Sequence, residues 1–131
     1  MARGKTDHDT TIQELKDLVD KFSQDRNWQR HHNPKNLSMA IAIEAAELME
    51  HYQWEREGKL DAGEIADELS DIIFNCLMFA VSQDIDIASS FKSKYGRLLK
   101  KYPTTIFNKN NDSPEDYDRI KKAYRAGPSK I

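Results

Sequence analysis

Cysteine, valine, glycine and proline are all scarce in this chain of 131 residues, and each scarcity removes a class of architecture. A single cysteine, Cys76, leaves no intrachain disulfide to form, which excludes a disulfide scaffold and reads as a cytoplasmic chain. Only two valines occur, Val19 and Val81, and no threonine lies between Thr11 and Thr104. Strands favour β-branched residues and hairpins need turn chemistry, so five glycines and four prolines argue against a sheet. The opening residues MARGKTDHDT lack an apolar core, and no signal peptide is expected from them. The longest apolar run, Ile72 to Val81, is about half a membrane span and is broken by Asn75, so no membrane partner is expected. A net charge of −2 carries no excess of either sign and makes no case for nucleic acid.

What the chain has is helix-forming residues. Between Pro34 and Pro103 it is rich in Ala, Leu, Glu, Lys and Met, with no proline to interrupt. Thr11 with Glu14 has capping-box spacing and opens a first helix over 12–30. His31 to Lys35 reads as a loop, because Pro34 biases Asn33 away from helical angles. A second helix follows over 37–57 and stops at Gly58; Asp61 with Glu64 starts a third that reaches Gln83. Asp84 or Asp86 caps a fourth, ending before Pro103, and Ser113-Pro114-Glu115 starts a short one ending at Gly127. The expectation is all-α: a four-helix bundle with a short C-terminal helix or tail. A disordered extension over 1–10, a helical domain over 11–103 and a connector and tail over 104–131 complete it.

Several acidic residues fall where a bundle wants apolar ones. On a wheel of about 100° per residue, Leu37, Ile41, Leu48 and Ala40 flank Glu44 within about 60°. Glu44 thus lies inside the apolar arc, with Glu47 and His51 at its edge. A carboxylate facing a core persists only if protonated, paired or bound to a cation. On the third helix Ile65, Leu69, Ile72, Ile73, Cys76 and Ala80 define an apolar stripe that should bury Cys76. Glu68 borders it, and Asp71 and Asn75 continue on the same side. A short connection makes the two helices antiparallel, setting Glu44 and Glu47 opposite Glu68 and Asp71. One Glu-x-x-Glu is common on solvated helices; two acidic pairs on consecutive helices, one member in an apolar arc, point to oxygen ligands for Mg²⁺ or Mn²⁺. A di-iron bundle needs Glu-x-x-His, but Leu48 precedes His51 by three; zinc spacing of Cys and His is also absent. Met39, Met49 and Met78 read as packing residues.

The ordered set is wider than the acids. Asn27-Trp28, His32-Asn33-Pro34-Lys35-Asn36-Leu37, Glu44-x-x-Glu47, Tyr52-Gln53-Trp54, Glu68-Leu69-Ser70-Asp71 and Lys101-Tyr102-Pro103 follow one another. From about Ile12 to Pro103 this resembles the MazG-like all-α nucleoside triphosphate pyrophosphohydrolases, nearest to their dCTP pyrophosphatase branch. The resemblance implies Mg²⁺-dependent hydrolysis of a nucleoside triphosphate, dCTP or a related or noncanonical deoxynucleotide, to monophosphate and pyrophosphate in nucleotide-pool house-cleaning. It implies Glu44, Glu47, Glu68 and Asp71 as catalytic metal ligands, a nucleotide pocket from Trp28 through His32 with Trp54 and Asn75, and a homodimer or homotetramer. Asn75 stands where dCTP-specific members carry tyrosine, and Leu98 where a polar residue is often seen. Within that pocket Trp28 and Trp54 offer stacking faces, His31 and His32 hydrogen bonds to sugar or phosphate, Gln29 and Arg30 polar contacts, and Lys94 a cation for phosphate. The alternative is a non-enzymatic helical interaction module with a solvated acidic face.

Overall fold

The computed structural model describes residues 4–54, 60–111 and 113–127. Among them are five α-helices: α1 (Ile12–Asp25), α2 (Pro34–Glu50), α3 (Ala62–Ser82), α4 (Ile87–Lys101) and α5 (Pro114–Ala126). No strand occurs among the described residues beyond an isolated bridge between Asn108 and Asn111. The all-α reading holds. The C-terminal helix runs where it was expected, α5 starting after its Ser113 cap and ending at Gly127.

Local chemistry explains the helix starts. Thr11 and Glu14 form a reciprocal capping box, Thr11 Oγ1 accepting from the Glu14 N–H and Glu14 Oε2 from the Thr11 N–H, both at 3.0 Å. Asp61 accepts from the N–H groups of Gly63 and Glu64 and starts α3; Ser113 accepts from the Asp116 N–H and starts α5. Asn33, expected in a loop, is instead the N-cap of α2: it accepts from the Asn36 N–H at 2.8 Å, and Pro34 sits in the first turn, where its missing N–H costs nothing.

Two helix ends differ from expectation. α1 stops at Asp25 rather than near residue 30, because Asn27 takes a left-handed conformation (φ 53°) that Asn tolerates. The chain then makes a 3-10 turn over Gln29–His31. α2 ends at Glu50, and Tyr52 and Gln53 turn back onto the Met49 and Glu50 carbonyls. The expected terminator, Glu57-Gly58, lies outside the described residues.

The chain divides into two compact units, over residues 1–87 and 88–131. In the first, α3 packs against both α2 and α1. Val19, Leu37, Leu77 and Met78 form its core, with Leu15, Phe74, Phe79 and Ile87 against them. Over its C-terminal half, from Ile72 to Val81, α3 carries apolar residues on several faces, and α1 and α2 cover only part of them. Cys76, expected inside, is therefore exposed, and so are Leu69 and Ile73. Met39 and Met49 are exposed as well; of the three methionines read as packing residues, Met78 alone is buried. In the second unit Tyr102 stacks on Tyr117 at 5.6 Å and meets Phe107 edge-on, with the Lys101 ammonium over the Tyr102 and Tyr124 rings.

Candidate metal centre

Packing of α2 on α3 places Glu44, Glu68 and Asp71 together: one carboxylate oxygen from each lies within 4.8 Å of the others. Their origin is the periodicity of the two helices. Glu44 sits in the Leu37–Ile41–Leu48 arc and is half-buried, while Glu47, at the edge of that arc, is exposed. Glu68 is half-buried and Asp71, one turn further along α3, is exposed. Glu47, one turn along α2 from Glu44, adds its charge beside the group. Among the described residues, no lysine or arginine forms an ion pair with any of the four.

Uncompensated negative charge has an electrostatic signature. Burial, followed by the charges of Glu47 and Asp71, the Glu47 hydrogen bond and the Glu68 charge, raises the Glu44 pKa above the ordinary carboxylate value. The folded metal-free chain therefore holds the Glu44 proton more tightly than the unfolded one. Its stability should fall as pH rises from the unfolded-state value through the raised folded one. In thermal melts without divalent cation between pH 4 and 7, Glu44→Gln should flatten that fall; an unchanged pH slope contradicts the repulsion.

The carboxylates are hard oxygen donors of the kind that bind Mg²⁺, Mn²⁺ or Ca²⁺, and their spacing suits oxygens around one cation. The residues present thus fit a divalent metal. Beside them Glu47, Glu50, His51 and Glu68 line a cleft of about 360 Å³. His51 Nε2 lies 3.1 Å from Glu68 Oε1, linking the end of α2 to α3. Glu50 did not stand out in sequence; His51 did so as an edge residue of the Glu44 arc, sharing i, i+3 and i+7 spacing with Glu44 and Glu47, but not as a partner of Glu68.

The residues expected to contact a nucleotide are distributed more widely. Trp28 is 46% exposed and fixed edge-on by Phe22 at 5.5 Å, which itself meets Phe74 edge-on at 5.4 Å. Gln29, Arg30 and His31 form the exposed 3-10 turn. His32 is half-buried, its Nδ1 3.3 Å from the buried Ser23 Oγ. Burial, and then the charge of His31, lowers its pKa and favours the neutral ring. Gln29, Ser23, His32 and Met78 line a separate cavity of about 210 Å³. Asn75 is half-buried, and its Nδ2 donates to the Asp71 carbonyl of its own helix at 2.9 Å. Trp54 is 85% exposed and lines neither cavity. Lys94 is exposed on α4, in the second unit.

The acidic residues of both helices lie within a recognised sequence family, since residues 39–118 match the model of the MazG-like family. The chain belongs to the MazG-like family. This MazG-like chain is 26% identical over 104 residues to dCTP pyrophosphatase 1 of Homo sapiens and 25% identical to that of Rattus norvegicus. Each alignment covers 73% of the chain and 61% of the relative, so the chain spans about three-fifths of the length of these curated relatives. Its fold resembles the crystal structure of a pyrophosphatase from Archaeoglobus fulgidus, with a TM-score of 0.66 and 30% identity, covering 79% of this chain and 99% of that one.

Proposed function

We propose that this MazG-like chain is a Mg²⁺-dependent nucleoside triphosphate pyrophosphohydrolase, with Mn²⁺ as a possible substitute. The observation that carries this reading is the convergence of Glu44, Glu68 and Asp71, without a lysine or arginine paired to them among the described residues. The names of the relatives supply the reaction class: pyrophosphatases, in two cases acting on dCTP.

Glu44, Glu68 and Asp71 would hold the cation, with Glu47 alongside. When bound, the metal neutralises triphosphate charge and makes a coordinated water more acidic. The chain's own groups do the rest. Without a counter-charge the acidic helices repel a triphosphate, so substrate reaches them only when their own charge is balanced. Water then attacks the α-phosphorus in line, its oxygen forming the new bond as the bond to the β-phosphate bridging oxygen breaks. Pyrophosphate leaves, and a carboxylate oxygen of the acidic group takes the proton from the water. Trp28, pinned by Phe22, offers a half-exposed indole face for a base. His32, held by Ser23, offers a hydrogen bond to the sugar or phosphate, and Gln29 beside it a polar contact. Arg30, His31, Trp54 and Asn75 are proposed as further nucleotide contacts.

The substrate class proposed is a deoxynucleoside triphosphate, dCTP or a noncanonical relative, cleared from the nucleotide pool. The exposed apolar residues Met39, Ile43, Leu69 and Ile73 on α2 and α3 favour a homodimer or homotetramer. No single helix among the described residues is long and apolar enough to cross a membrane. A panel of nucleoside triphosphates with Mg²⁺, assayed for pyrophosphate against orthophosphate, tests the reading. Pyrophosphate and monophosphate in equal amounts are expected; orthophosphate alone, or no product, would overturn it in favour of another phosphohydrolase or a non-enzymatic module.

A further inference from the structure

His51 is the C-cap of α2, where the helix gives way to a turn. Its Nε2 lies 3.1 Å from Glu68 Oε1, and both side chains are shielded, at 23% and 21% exposure. An ionised carboxylate accepts hydrogen bonds and has none to donate, so the imidazole N–H is the donor. Glu68 also belongs to the group in which three carboxylate oxygens lie within 4.8 Å. Repulsion from Glu44 and Asp71 drives a flexible glutamate toward solvent, and the His51 N–H opposes that drive. Pinning one oxygen also fixes the direction of the other.

From this geometry we infer that His51 is a positioning residue: it holds the Glu68 carboxylate in place for a divalent cation across the α2–α3 interface. The inference rests on the metal-dependent reading above and deepens it by naming the group outside the acidic set that preorganises it. Ligating carboxylates are commonly fixed in this way by hydrogen bonds from residues that do not touch the metal. Both the imidazolium and the neutral ring with its proton on Nε2 make this donation.

Calorimetric titration of Mg²⁺ into the full chain tests it, comparing wild type with His51→Phe, which keeps a ring and loses the donor, and His51→Gln, which keeps a donor. Loss of an outer hydrogen bond of this kind costs about tenfold or more in metal affinity, so His51→Phe should weaken Mg²⁺ binding by about that factor and His51→Gln by about threefold or less. Turnover of His51→Phe should recover at high Mg²⁺, with KM for nucleotide little changed. A role in packing alone gives the reverse order, with the phenyl variant intact and the glutamine variant impaired. That order, or wild-type affinity in both, overturns the inference. His51→Leu, equally donor-free, replaces His51→Phe if the larger ring prevents folding. Failure of the wild type itself to bind Mg²⁺ or release pyrophosphate defeats the underlying function instead, and this inference with it.

Discussion

Glu68→Gln and Glu44→Gln should each reduce pyrophosphate release by about a thousandfold or more, the factor that several kcal/mol of lost transition-state stabilisation produces. Glutamine keeps the size of the side chain and removes the charge, so the change reads electrostatics rather than packing. The two variants should differ in the metal-free state. Glu44 is the carboxylate whose proton is held by burial and by its acidic neighbours, so its neutralisation relieves repulsion. Glu68 accepts from His51, and its neutralisation weakens that link between α2 and α3. Single-turnover assays with saturating Mg²⁺, beside melts in chelator, separate loss of catalysis from loss of fold. Wild-type turnover in both variants would remove the acidic group from the chemistry.

Chelation should have an effect of similar size. With the divalent cation removed, three carboxylates confront a triphosphate of about four negative charges, an arrangement that Coulomb repulsion disfavours even near solvent. Hydrolysis should fall to the uncatalysed background and return on adding back Mg²⁺ or Mn²⁺. The loss should be reversible, because Val19, Leu37, Leu77 and Met78 hold the first unit together without metal. Retained turnover in chelator would require a different source of charge neutralisation.

What could be read from the sequence follows from how local each determinant is. The starts of α1, α3 and α5 depend on Thr11, Asp61 and Ser113 bonding to N–H groups two or three residues away, and such caps are visible in a string of letters. The Asn33-Pro34 start of α2 carries the same information in two signals: proline keeps Asn33 out of helical angles, and those non-helical angles are what an N-cap adopts. The end of α1 depends on one asparagine adopting positive φ, which composition does not announce. Burial was the least local property. α3 has more apolar surface than α1 and α2 cover, so Cys76, Leu69 and Ile73 emerge exposed although their periodicity suits a core.

For the acidic group, the helical wheel anticipated that Glu44 lies deeper than Glu47 and that α2 and α3 set their acids against each other. It did not anticipate that three oxygens, from Glu44, Glu68 and Asp71, rather than four converge most closely. It set His51 at the edge of the same arc but not against Glu68, a contact that depends on a distance across two helices.

The most direct measurement is calorimetric titration of Mg²⁺ into the nucleotide-free chain beside its Glu44→Gln variant. A saturable exchange of heat in the wild type, absent or strongly weakened in the variant while both remain helical by circular dichroism, is the expected result. Equal binding in the two, or no binding in either, would contradict a cation cradle built from α2 and α3.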